Sequence, residues 1–224
     1  MIQTMKKLVP FLSVIVLMYA SASALAQGTT ADDYPKVEVF VGYSALGDAN
    51  SGRLIVFSPT ASTDSGYGTP TGFETSVIGN FSKHIGIKGD FSAHFGSDSG
   101  RAPFTACTPI CTTVTQDFKF KTRVYNFLAG PEFKARNSSR FTPLAYALAG
   151  VAHTSATFTT GPTPSVFLKN SNNSFAMALG GGLDIRAGER MSFRGTIDYN
   201  PIFIRDPGSD RRDLLRISLG VLFR

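Results

Sequence analysis

Residues 174–200 read SFAMALGGGLDIRAGERMSFRGTIDYN, and the order of large and small side chains in this stretch decides the fold. Taken two by two, Phe175, Met177, Leu179, Gly181, Leu183, Ile185 and Ala187 form one face. Ala176, Ala178, Gly180, Gly182, Asp184 and Arg186 form the other. After Gly188-Glu189-Arg190 the alternation restarts, with Met191, Phe193, Gly195, Ile197 and Tyr199 against Ser192, Arg194, Thr196 and Asp198. A period of two sustained over this length predicts two half-buried strands joined by a tight turn. A soluble sheet turns its bulky apolar face to the core and its polar face to water. Here small residues and paired charges share one face. That division suits a narrow barrel whose polar inside is filled by side chains and whose apolar outside meets lipid.

The same alternation recurs along the chain. Lys36–Ser44 sets Val37, Val39, Val41 and Tyr43 against Glu38, Phe40, Gly42 and Ser44, and Gly72–Ser82 sets Phe73, Val77 and Phe81 against Glu74, Ser76, Ile78 and Asn80. Ile85–Phe95 opposes Ile85, Ile87, Phe91 and Phe95 to Lys88, Asp90, Ser92 and His94. Phe118–Phe133 carries Tyr125, Phe127, Ala129 and Phe133 outward and Asn126, Gly130 and Glu132 inward. Its first part, Lys119–Arg123, reverses that polarity and is placed above the bilayer. In Phe141–Thr154 the larger Leu144, Tyr146 and Leu148 are expected outward, opposite Ala145, Ala147, Ala149 and His153. Leu214–Arg224 alternates Leu215, Ile217, Leu219, Val221 and Phe223 with Arg216, Ser218 and Gly220. Between these eight strands the connections run long, short, long, short, long, short, long. Brief turns at one end and long loops at the other are the layout of an outer-membrane barrel, with an even strand count. The expected fold is therefore all-β: an eight-stranded antiparallel up-and-down transmembrane β-barrel over residues 36–224.

The amino terminus reads as an export signal. Lys6 and Lys7 precede an apolar run from Leu8 to Ala20, and Ala24-Leu25-Ala26 supplies a small-residue cleavage site, which is the three-part layout of a secretory segment over residues 1–26. An uncut anchor is disfavoured because the run is shorter than the ~20 apolar residues of a spanning helix. Residues 27–35 make a short leader. The formal charge is +6, scattered rather than clustered with aromatics, so nucleic-acid binding is not expected. Nineteen Phe, seven Tyr, 22 Gly and no Trp fit strands and tight turns.

Chemistry-bearing residues fall into three groups. Asp184 is expected opposite Arg194, with Arg186, Asp198 and Arg216 on the same interior face and Glu38, Lys88 and Asp90 facing them. Such a set is either an ion path or a filling charge network. The narrow lumen of eight strands and the cost of unpaired buried charge favour the network. Cys107 and Cys111, in an exported chain, are expected to form a local disulfide; two thiols without a nearby His do not make a metal site. His84 falls in a short turn, and His94 and His153 are expected inward, where a serine such as Ser92 raises the thought of a hydrolase. No motif places an acidic orienter beside them. The triplet Gly180-Gly181-Gly182 lacks the strand–loop–helix setting of a phosphate loop and is read as close strand packing. No metal or cofactor is expected.

Tyr125-Asn126-Phe127-Leu128-Ala129-Gly130-Pro131, Gly180-Gly181-Gly182-Leu183-Asp184, Asp198-Tyr199 and the closing Leu215-Arg216-Ile217-Ser218-Leu219-Gly220-Val221-Leu222-Phe223 resemble the eight-stranded outer-membrane β-barrel domains, OmpA-like and porin-family in the broad sense. The resemblance covers Lys36 to the carboxyl end. It implies a place in a Gram-negative outer membrane among its lipids, and delivery by periplasmic chaperones to the barrel-assembly machinery. In the family that machinery reads an aromatic residue closing the last strand, which maps onto Leu219, Val221 and Phe223; here Phe223 is penultimate and Arg224 last. The peptidoglycan-binding domain that some members carry after the barrel is not expected. Function is expected to be non-enzymatic: structural, or binding and adhesion through extracellular loops, with Arg53–Phe57 and Arg101–Thr113 as contact candidates. A small-solute pore is the alternative, and a lipid-modifying enzyme a more remote one.

Overall fold

Alternating faces close into a single ring. In the computed structural model, which describes residues 34–49, 70–108, 110–160, 166–203 and 211–224, eight strands follow one another around a closed antiparallel barrel. They are β1 (Val37–Asp48), β2 (Thr71–Asn80), β3 (Ile85–Thr108), β4 (Ile110–Lys134), β5 (Phe141–Thr160), β6 (Val166–Arg186), β7 (Met191–Phe203) and β8 (Arg212–Phe223). β1 closes on β8 from Val39 opposite Phe223 to Asp48 opposite Leu214, so no barrel strand is left with a free edge. The expected signal segment, most of the leader and Arg53–Phe57 lie outside the described residues.

The apolar faces point outward. Phe175, Leu179, Phe193, Ile197 and Leu219 are about half exposed, whereas Asp184, Arg194 and Arg216 are almost wholly buried. Two rows of exposed apolar groups mark the limits of the lipid-facing band. Phe81, Ile85, Phe133, Phe141, Phe193 and Phe223 lie toward the short turns. Toward the other end Phe95 meets Tyr125 at 6.0 Å between ring centroids, and Phe175 meets Phe203 at 5.7 Å. Ten residues separate Ile85 from Phe95 and Phe175 from Ile185 on their strands, close to the ~9–11 a tilted strand needs to cross a bilayer.

Two glycines allow the close approach this small ring requires. A Cβ at Gly180 would stand 2.3 Å from Asp198 Cβ, and one at Gly220 would stand 2.2 Å from Val41 O at the closing seam. Proline interrupts the ladder without opening it. Where β7 reaches Pro201, which has no N–H to offer, the Asn200 side-chain amide donates instead to Met177 O at 2.7 Å.

Five expectations need correction. The connection expected at residues 96–117 is instead the continued β3–β4 ladder, paired from Gly96 opposite Thr122 to Thr108 opposite Ile110. Most of the loop expected at 155–173 is likewise ladder between β5 and β6. Ser, Thr and Gly there suit a solvated hairpin as well as a loop, because neither face has a core to declare itself. β5 faces the opposite way: Leu144, Tyr146 and Leu148 are buried inside and Ala145, Ala147 and Ala149 face lipid. The small Ala and Gly residues of β6 leave room in the lumen that these larger groups fill. His153 consequently points outward beside Tyr125, with Nδ1 2.6 Å from Asn173 Oδ1. Arg186 is exposed, because it ends β6 below the rim, where the interior face has nothing left to enclose.

Candidate functional site: the charged interior and the long hairpins

The lumen is built from the inward positions of all eight strands and fills in layers. Nearest the short turns, Glu38 on β1 accepts from Arg136 Nη2 at 2.7 Å, Arg224 Nε at 3.1 Å and Asn80 Nδ2 at 3.1 Å, and also pairs with Lys134. Lys134 passes the link to Glu132 at 2.9 Å, and Glu132 lies 3.4 Å from the Arg194 guanidinium. Arg194 in turn holds Asp184 through two hydrogen bonds, Nε to Oδ1 at 2.6 Å and Nη2 to Oδ2 at 2.8 Å. The register sets Asp184 directly opposite Arg194. This fork-to-carboxylate geometry is the strong form of a charge-assisted pair. Phe40 packs beneath it, with the Arg194 guanidinium 5.8 Å from the ring centroid.

The middle layer turns on Arg216. Its Nε lies 3.0 and 3.2 Å from the two Asp198 oxygens, and its Nη1 donates to Asp90 Oδ2 at 2.8 Å and Ser92 Oγ at 3.1 Å. Lys88 bridges Glu74 at 3.1 Å and Asp90 at 3.2 Å while sitting 4.2 Å over the Tyr146 ring. Tyr146 OH donates to Asp198 at 2.7 Å, and Ser218 Oγ to Glu74 at 2.5 Å. Above this layer the lumen becomes apolar: Leu46, Val124, Ala152, Ala176 and Ile202 form one buried cluster with Leu128 and Leu148. The charges balance. Glu38, Glu74, Asp90, Glu132, Asp184 and Asp198 are matched by Lys88, Lys134, Arg194 and Arg216 inside and by Arg136 and Arg224 at the rim.

Asp184, Arg194, Asp198, Arg216, Glu38, Lys88 and Asp90 thus converge as the alternation implies, and Arg186 does not join them. Glu74, Glu132, Lys134 and Tyr146 are network members outside the expected set. Glu74 is on the inward face of its strand and was open to recognition by parity alone. Lys134 reads as a turn residue unless β4 is extended by one position, and the size of Tyr146 points to lipid.

Histidine and serine do meet in the lumen, though the serine is Ser44 rather than Ser92. His94 Nε2 lies 2.9 Å from Ser44 Oγ, and Ser44 Oγ lies 2.9 Å from Ser218 Oγ, whose single proton goes to Glu74. Both side chains are fully buried, and no carboxylate is bonded to the other ring nitrogen. The pair lacks the orienter and the access that a hydrolytic serine needs; it extends the network. His84, in the turn, places Nδ1 2.8 Å from Lys134 O. Among the described residues no group of His, Cys, Asp and Glu is arranged to hold a metal.

At the other end, β3 and β4 run 24 and 25 residues, and β5 and β6 run 20 and 21. Past Phe95 the β3–β4 ladder continues to Thr108, roughly 40 Å of additional strand at ~3.3 Å per residue. Cys107 stands opposite Cys111 at its tip, which is the placement a local bridge needs; the side chains of residues 101–114, including this pair, lie outside those described. Leu219 and Phe223 face outward on β8, about half exposed, with Val221 partly covered.

A family model covers this layout, and several solved structures are similar to the chain. The family model described as outer membrane protein beta-barrel domain matches residues 12–223. The chain is similar to the crystal structure of Ail, the attachment invasion locus protein of Yersinia pestis, with 18% identity over 84% of this chain and 95% of that one and a TM-score of 0.44. Similarity to Neisserial surface protein A is 14% over 84% and 94%, TM-score 0.45, and to the outer membrane protein OprG of Pseudomonas aeruginosa 11% over 84% and 94%, TM-score 0.42. No curated protein sequence matches the chain. A family match over almost the full length, on an eight-stranded barrel with lipid-facing aromatics and a charged lumen, assigns the chain to the outer membrane protein beta-barrel domain family, with its strands in the bacterial outer membrane.

Proposed function

We propose that this protein is a closed, non-conducting and non-enzymatic barrel that anchors its long hairpins at the cell surface, where they do its work by attachment or partner binding. The observation that carries the reading is the filled lumen: Arg194, Arg216, Lys88, Glu38 and Glu74 all have essentially no exposed surface. A conducting path needs hydrated groups along its length, and the apolar layer of Leu46, Val124, Ala176 and Ile202 adds a barrier above the charges. The hairpins supply the surface. Lys119, Lys121, Arg123 and Lys169 are exposed on them, and the ladder sets Lys121 opposite Thr157 and Thr157 opposite Lys169. That grouping favours an anionic partner. Binding function on variable hairpins carried by a rigid scaffold follows general practice in proteins.

The refolded barrel in planar bilayers tests the closed lumen: silence is expected, and steady single-channel openings would establish the pore instead. Replacing residues 97–120 with a tight turn should leave a folded, heat-modifiable barrel that no longer supports attachment of cells expressing it. Attachment unchanged by that deletion removes the hairpin from the function. Unaltered lipid A mass in an overexpressing strain is the outcome expected of a non-enzyme. Delivery to the membrane by periplasmic chaperones and the assembly machinery, through Leu219, Val221 and Phe223, belongs to the same reading.

A further inference from the structure

The periplasmic rim carries more cations than Arg136 and Arg224, the two that the interior network uses. β5 begins one residue after Arg140, β6 ends at Arg186, β7 begins one residue after Arg190, and β8 is followed by Arg224. Lys36 precedes β1, Lys83 lies in the β2–β3 turn, and Arg136 follows β4. Against these cations the one exposed side-chain carboxylate on the described rim is Glu189.

The ladder forces like charges together. The pairing of Phe141 with Ile185 continues as Arg186 N–H donating to Arg140 O at 2.9 Å, and that of Met191 with Phe223 continues as Arg224 N–H donating to Arg190 O at 2.9 Å. Like charges facing each other across a ladder are destabilising. Arg224 is relieved by Glu38, which it shares with Arg136 and Lys134. Arg140, Arg186 and Arg190 are exposed and make no ion pair among the described residues. Their immediate neighbours Phe141, Ile185, Met191 and Phe223 are lipid-facing, so these backbones stand at headgroup depth. The arginines fall on the opposite, interior parity at the open mouth, from which their long stems reach around the rim to the headgroups. The anion available at that depth is the phosphodiester of a phospholipid, and the planar guanidinium fork is matched to phosphate oxygens.

We infer that the arginine rim formed by Arg140, Arg186 and Arg190 binds the phosphodiester headgroups of anionic phospholipids in the inner leaflet. The lipids neutralise a ring of charge that the fold itself leaves unpaired.

Native mass spectrometry of the full chain with phosphatidylglycerol and with phosphatidylethanolamine tests this. Wild type should retain phosphatidylglycerol preferentially. The R140Q/R186Q/R190Q variant should lose roughly five-fold in affinity per arginine, on the order of a hundred-fold in all, at low salt. The preference should fade as ionic strength rises. All three side chains are exposed, so the unfolding midpoint of the variant serves as the control for an intact fold; if the triple variant fails to refold, R186Q and R190Q singly should each show the five-fold loss. Absence of a lipid preference in wild type, or a preference undiminished in a folded variant, overturns the assignment. So does co-sedimentation with purified murein that depends on these arginines without any lipid preference, which would make the ligand a periplasmic polymer.

Discussion

Replacing Arg216 with Met probes the lumen where its chemistry is most concentrated. The guanidinium is fully buried and touches Asp198 at 3.0 Å, Asp90 at 2.8 Å and, more distantly, Glu74 at 3.8 Å. Without it, Glu74 and Asp90 retain Lys88, and among the described residues Asp198 retains only the Tyr146 hydroxyl. Methionine is of similar length and flexible, so the packing loss is small and the effect is electrostatic. Removing one partner of a dry buried ion pair costs ~3–5 kcal/mol, and with three carboxylates converging the upper end is expected. Changing Asp198 to Asn in the same chain should recover 1 kcal/mol or more, since coupling in such networks is about 0.5–3 kcal/mol. The chain has no Trp, so urea unfolding in lipid vesicles is followed by far-ultraviolet circular dichroism and by gel mobility before and after boiling. An R216M midpoint within ~0.5 kcal/mol of wild type would refute the reasoning. The lumen would then be hydrated, and its pairs would be worth no more than exposed ones.

Further outcomes follow from individual positions. Ala129→Arg, outward at the middle of the lipid band, should cost ~2–4 kcal/mol in bilayers, whereas Ala135→Arg in the turn should cost about 0–1 kcal/mol; equal effects would remove the bilayer from around β4. Phe40→Ala empties a fully buried site beneath Arg194 and should destabilise by ~3–5 kcal/mol in the same urea assay. Gly220→Val drives side-chain atoms into Val41 O at the β1–β8 seam, and a chain carrying it should yield no heat-modifiable band. Reduction of the expected Cys107–Cys111 bridge should increase protease cutting at the hairpin tip and leave the barrel's unfolding unchanged within ~0.5 kcal/mol, because a loop this short constrains little of the unfolded chain.

Strand parity made most of the barrel legible. Once Phe175 and Phe193 are put outside, Asp184 and Arg194 must be inside and adjacent, and the register places them so. β5 departs from the pattern because size alone does not mark the lipid face. Leu144, Tyr146 and Leu148 against three alanines looks like the pattern of β6, yet the lumen has its own volume to fill. Gly180, Gly182, Ala176 and Ala178 on the neighbouring strand contribute almost none of it. A volume count across adjacent strands, rather than along one, would have turned β5 over and brought His153 out with it. The hairpin extensions were illegible for a different reason. Above the bilayer both faces of a strand meet water, so nothing in the sequence from Gly96 to Gln116 distinguishes ladder from loop, and backbone pairing alone decides.

The cost of a polar lumen raises the question of why the chain uses one. Apolar side chains of the same volume would fill the ring at least as stably, since a buried ion pair seldom outperforms a hydrophobic replacement. A strand apolar on both faces, however, presents a continuous hydrophobic run, and β4, β5 and β6 in this chain are long enough to reach the ~20 residues that read as a membrane helix. Such a run would be retained at the first membrane it met and would aggregate in the aqueous space between the two. Glu132 and Lys134 on β4 and Asp184 on β6 break runs of that kind. β5 carries no charge and is interrupted by Pro143, His153 and its closing Ser and Thr residues, and the apolar share of the chain stays at 42%. The interior charges thus serve two stages with one set of side chains. Before folding they keep the strands that carry them polar enough to travel, and after folding they cancel one another where water does not reach.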